Sequence, residues 1–147
     1  MTNTALQLFC DRIVEAGRIT GADVAELSRD LLADGLMSRH EADLLLALDR
    51  AVADQHEGFS AFLAASIVDF AVYGERPTGR ITPETAAWLS ASLAGRKGPT
   101  PTGARIAMEI VREATVSDEA LIAFALKAKS WNRQPVGART GTLPLAA

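Results

Sequence analysis

The chain has 147 residues, 48% of them hydrophobic and 22% charged, with 15 basic and 18 acidic side chains. That length suits one domain with a real core that needs neither disulfides nor metal as staples, and the composition excludes disordered, collagen-like and linker-like chains. A net charge of -3 argues against a dedicated nucleic-acid binder.

No uninterrupted apolar run approaches the roughly 18–20 residues that span a bilayer. The opening Met1-Thr2-Asn3-Thr4 lacks the basic and apolar regions of a signal peptide. The single cysteine, Cys10, has no partner for an internal disulfide. A cytoplasmic protein without a membrane span is the expectation.

Apolar residues recur at helical spacing along nearly the whole chain. Leu6, Phe9, Cys10, Ile13 and Val14 form a first stripe ended by Gly17, and Val24, Leu27, Leu31 and Leu32 a second closed by Gly35. Leu44, Leu45, Leu48, Ala51 and Val52 give a third. Phe59, Phe62, Leu63, Ser66, Ile67 and Phe70 give a fourth, stopped by Gly74. Leu89 and Leu93 mark a fifth helix, Ile106, Ile110 and Val111 a sixth, and Leu121, Ile122, Phe124 and Ala125 a seventh running to about Trp131. No segment alternates with period two over a useful length. The fold class predicted is all-α, a single bundle of about seven helices over residues 1–131, followed by an irregular tail, 132–147.

Helix starts are marked by hydroxyls at Thr20, Ser38, Thr82 and Ser117, each placed to accept from an unpaired backbone N–H. Asp23 and Glu41 stand three residues after Thr20 and Ser38, as in capping boxes. Pro83 follows Thr82 at the first helical position. Ile19, Met37, Ile81 and Val116 precede the four caps, placed to staple onto Val24, Ala42, Ala86 and Leu121.

Gly17-Arg18-Ile19-Thr20 returns as Gly79-Arg80-Ile81-Thr82, and the stretches 17–32 and 79–94 share eight identities in sixteen positions without a gap. An internal repeat follows, pairing 17–54 with 79–115, so that two related helical halves build the bundle. Charge divides along the same line: residues 1–60 hold 11 acidic and 5 basic side chains, residues 61–147 hold 7 and 10. Such asymmetry steers a protein partner or a self-contact, or else is simply a solvated surface.

The sharpest candidate for chemistry is the turn from Asp30 to Glu41. Set against a calcium-binding EF-hand loop, Asp30 falls at position 1, Asp34 at 5, Gly35 at the turn glycine and Glu41 at the twelfth, bidentate position. Position 3 is Leu32, which offers no side-chain oxygen. The same residues also read as a helix continuing to Asp34, a left-handed cap at Gly35 and a capping box at Ser38 and Glu41. As a site the turn would take calcium or another divalent cation on Asp30, Asp34 and Glu41.

Asp34-Gly35-Leu36-Met37-Ser38-Arg39-His40-Glu41 resembles the helix-Asp-Gly-apolar-Ser-x-x-Glu-helix turns of the tellurite-resistance TerB-like proteins. The stretch from Arg76 through Trp88-Leu89 is similar to segments of uncharacterised bacterial proteins related to them. The resemblance implies a seven-helix cytoplasmic bacterial module linked to stress response, membrane-associated assemblies and acidic metal-binding clusters. Of such a cluster only Asp30, Asp34 and Glu41 carry over, since the second half has Arg96, Lys97 and Thr100 in their place.

Enzyme readings find no constellation. His40 sits in a capping turn and His56 in a polar connection, neither with a second ligand at zinc spacing. Cys10 lies on an apolar stripe, where a buried, inert thiol is expected. No glycine-rich stretch has phosphate-cradling spacing. Two tryptophans stand out as partner-contact candidates. Trp88 takes the repeat position of the polar-face Glu26, and Trp131 ends the last helix between Lys129 and Arg133, placed to lock the tail, dock a partner or touch a membrane surface. The expected class is therefore a non-catalytic intracellular interaction module, with a divalent-metal protein using the 30–41 turn as the alternative.

Overall fold

The computed structural model describes residues 3–133, with side chains through Lys129. It is an all-α bundle of seven helices among the described residues, joined by four two-residue strands. The helices are α1 (Thr4–Ala16), α2 (Gly21–Glu26, continuing as a π-turn Leu27–Leu31), α3 (Arg39–Ala51), α4 (Glu57–Asp69, continuing as a π-turn Phe70–Gly74), α5 (Pro83–Ala94), α6 (Pro101–Glu113) and α7 (Glu119–Arg133). All seven predicted stripes are helices. Helix α7 includes Asn132 and Arg133, which the sequence reading assigned to the tail; residues 134–147 lie outside the described part of the chain.

Caps explain most of the boundaries. Thr20 accepts from the Asp23 N–H and the Asp23 carboxylate accepts from the Thr20 N–H, a complete capping box. Ser38 accepts from Glu41 and Thr82 from Thr85, as predicted. Asn3, His56 and Thr100 cap α1, α4 and α6. At α7 the prediction is off by one residue. Asp118, not Ser117, accepts from the Ala120 N–H, while Ser117 is drawn into a strand and its hydroxyl is buried without a hydrogen-bond partner. Two of the four staples also fail, because Met37 is 73% and Val116 47% exposed.

The strands were invisible in the sequence, since two residues carry no period. Strand β1 (Arg18–Ile19) pairs in parallel with β2 (Asp54–Gln55), and β3 (Arg80–Ile81) with β4 (Val116–Ser117). The Ile19 carbonyl accepts from His56 at 2.7 Å and the Ile81 carbonyl accepts from Asp118 at 2.9 Å. Parallel pairing requires a crossover, supplied by α2 and α3 in the first half and by α5 and α6 in the second. Shifted by 62 residues, β1, α3 and β2 coincide end to end with β3, α6 and β4, and α2 and α4 begin where α5 and α7 begin. Gly17 and Gly79 both turn with positive φ, at 77° and 79°. The π-turn Leu27–Leu31 has no counterpart in α5 under that shift.

The core is continuous. Leu6, Phe9 and Ile13 of α1 and Leu45 and Leu48 of α3 belong to it, as do Leu89 and Leu93 of α5 and Ile106 and Ile110 of α6. Phe59, Leu63 and Ile67 of α4 are fully buried in it. Together α4 and its π-turn make one 18-residue helix, Glu57–Gly74, with mean hydropathy 1.2, long and apolar enough to cross a membrane by length and composition. No uninterrupted apolar run marks it, because Ser60, Ser66 and Asp69 break the run. In the bundle 39% of this helix is buried.

Candidate functional site

The acidic turn does not converge. Asp30 lies in the π-turn of α2 and Asp34 in the tight turn after it, and both are exposed. Helix ends at Leu31, short of the predicted Asp34, and Gly35 (φ 85°) closes the turn by donating to the Leu32 carbonyl. Glu41 points inward and is 7% exposed. One of its carboxylate oxygens accepts from the Met37 N–H at 2.7 Å and the other from Asn3 Nδ2 at 2.9 Å. It thus ties the 36–38 segment to the N-cap of α1, and it takes the Met37 amide rather than the Ser38 amide a capping box would use. Among the described residues no group of three or more histidine, cysteine or acidic side chains is placed to hold a metal ion. The Asp30, Asp34 and Glu41 set is therefore not brought together.

Trp88 is engaged within the chain. Its indole Nε1 donates to Asp43 Oδ1 at 2.9 Å, its ring meets Phe70 edge-on at 6.0 Å, and the Arg39 guanidinium lies 5.0 Å above it. Arg39 also forms a two-pronged pair with Glu75, at 2.8 and 2.9 Å, and reaches Glu84 at 3.2 Å and Thr85 at 3.3 Å. The bond to Glu75 first, opposed by burial and aided by Glu84, raises the guanidinium pKa further above its ordinary value. Asp43 accepts a second bond from the Ser92 hydroxyl, and Arg50 donates to the Ser92 carbonyl at 2.6 Å. Arg39, Asp43 and Arg50 lie along one stripe of α3, matched by Glu84, Trp88 and Ser92 on α5. Roughly 100° round α3 from that stripe, buried Asp49 accepts from Gln55 and from the Thr100 hydroxyl. Helix α3 thus carries polar contacts to α5 and to Thr100, and the Tyr73 hydroxyl in the π-turn after α4 donates to Glu113 of α6. Trp131 side-chain geometry lies outside the described residues.

His56 and Cys10 have structural duties. His56 Nδ1 accepts from the Gly58 N–H at the start of α4, and a methyl group on Gly21 would come within 3.1 Å of its Nε2. His40 is exposed. Cys10 is 6% exposed, and burial, then the Asp11 carboxylate, push its thiol up to about 11 from 9.0. The folded chain keeps this proton where the unfolded chain releases it. The stabilisation is thus complete below pH 9 and is lost as pH rises towards 11. Urea titrations are expected to show wild type losing about 2 kcal/mol relative to Cys10→Ala between those limits. A constant difference across that range would mean the thiol is solvated.

What the sequence reading missed is a basic surface on the second half. One groove of about 340 Å³ lies between α6 and α7, floored by Ala104 and Met108 and rimmed by Arg105, Arg112 and Lys129. Across α7 a second, of about 480 Å³, is floored by Ala94, Pro99 and Phe124 and rimmed by Arg96, Lys97 and Lys127. Glu109, which pairs with Arg105 at 2.6 Å, is the one acidic residue lining either groove. The excess of bases after residue 60 was the available signal; its gathering around α7 is a product of packing.

No protein family, no curated protein and no solved structure matches this chain.

Proposed function

We propose that the chain is a non-catalytic interaction module that binds an acidic protein partner through the surface formed by α6, α7 and the α5–α6 turn. The observation that carries this reading is the pair of apolar-floored grooves flanking α7, with six basic side chains on their rims against one carboxylate. Apolar floors supply area to bury, and the uniform sign of the rim steers an oppositely charged partner. The acidic first 60 residues leave this as the face an anionic surface would approach. We read the two halves as copies of one helical unit, on the 62-residue shift of their elements. A TerB-like, stress-related, intracellular setting is extended to the chain on the resemblance of the 34–41 turn and the helix count alone.

Labelled poly-L-glutamate tests the surface. Anisotropy is expected to show salt-dependent binding that weakens at least tenfold in the triple variant Arg96→Glu, Lys97→Glu, Lys127→Glu. Reversing the exposed Arg18 and Arg29 of the first half should leave it unchanged. Absence of binding at low salt, or equal loss in both variants, overturns the reading.

A further inference from the structure

We propose that the groove between α6 and α7 is the seat of a single acidic amphipathic helix from a partner protein, laid across α6 as α5 is laid across α3. This rests on the reading of the basic surface above and specifies what one part of it holds. Moved back by 62 residues, the groove residues Pro101, Ala104, Arg105, Met108, Arg112 and Lys129 become Arg39, Ala42, Asp43, Leu46, Arg50 and Ile67. Arg39, Asp43 and Arg50 are the α3 residues that hydrogen-bond to α5. The floor of the α6–α7 groove therefore corresponds to a surface that already carries a helix in the first half. There Leu46 is 2% exposed, whereas Met108, in the open groove, is only half-buried.

The substitutions between the two seats state what the missing helix looks like. Asp43 accepts from Trp88 and Ser92, one helical turn apart on α5. Its counterpart is Arg105, a donor, so the helix must present acceptors at those two positions: carboxylates at i and i+4. Arg50 is kept as Arg112, still available for a carbonyl or a third carboxylate. Arg105 is at present paired with Glu109, but the pair is exposed and is readily exchanged for a stronger, partly desolvated one.

Residues 134–147 contain no acidic side chain and cannot supply these groups. The segment 21–31 does carry them, with Glu26 and Asp30 at the positions of Trp88 and Ser92. In a folded copy, however, Leu27 is fully buried and Val24 and Leu31 pack against that copy's own core, so this helix has no apolar face left to lay on the groove, and Glu26 is paired with Arg12 at 3.0 Å. The occupant is therefore a separate protein.

The probe is a labelled peptide of residues 20–32, stapled into a helix on its outward face. It is expected to bind the full chain saturably, and at least tenfold more weakly to Arg105→Glu or Arg112→Glu. Both residues are exposed, so unchanged thermal unfolding of these variants is the control. A probe with Glu26→Lys and Asp30→Lys should lose the wild-type chain and regain Arg105→Glu. Binding that ignores Arg105→Glu, or no binding of the peptide where poly-L-glutamate still binds, overturns the seat while leaving the basic-surface reading. Loss of both ligands overturns both. A dimer of the full chain that Arg105→Glu dissolves overturns the assignment to a separate partner.

Discussion

Arg39→Ala is expected to lower the unfolding free energy by about 3 kcal/mol. Arg39 is 29% exposed and its partner Glu75 only 18%, so alanine leaves a partly buried carboxylate without its two-pronged donor. It also removes the cation from the face of Trp88 and a donor to Thr85. The Glu84 arm adds little, since that carboxylate is 81% exposed. Lysine should recover about half, keeping the charge but losing the planar fork and the stacking. Urea denaturation with a double-mutant cycle on Arg39 and Glu75 measures this, and a coupling under about 0.5 kcal/mol would show the pair to be ornamental. The shape of the transition carries more information than its midpoint. Because the core runs unbroken through both halves, Arg39→Ala is expected to keep one cooperative transition, with far-UV and tryptophan signals coinciding.

Glu41→Ala is expected to cost about 2 kcal/mol by stranding the Met37 amide and the Asn3 side chain, both part-buried. Glu41→Gln should cost about half as much, because an amide oxygen still serves Met37. Melting temperatures of wild type and both variants should be the same in chelator and in calcium. A bound ion at 100 times its dissociation constant would add about 2.7 kcal/mol. A calcium-dependent rise abolished by Asp30→Ala would restore the metal reading of this turn. The distinction is clean because the capping role needs Glu41 alone, whereas a cation needs Asp30 and Asp34 to swing in beside it.

The helices were legible because seven amphipathic stripes and three hydroxyl caps agree with one another. Ser117 misled because a hydroxyl before an apolar run satisfies the capping rule equally well one residue early; only the ladder with β3 decides between Ser117 and Asp118. Trp88 shows where sequence reasoning ends. Its spacing from Leu89 places it on the polar face, yet it is partly buried against the edge of the core, and the groups that hold it come from residues 39, 43 and 70. Periodicity assigns a side chain to a face and cannot say what faces it. The same holds for Asp49, flanked by Leu48 and Arg50 in sequence and buried by Thr100 from the far half. The basic grooves depended on α6 meeting α7, and no local pattern announces that.

Each strand ladder joins residues 36 apart, Arg18 with Asp54 and Arg80 with Val116. Closure entropy depends on the length of chain enclosed, so the two closures carry the same cost and neither encloses the other. The contacts of α4 with α6 and of α3 with α5 then join the two loops so closed.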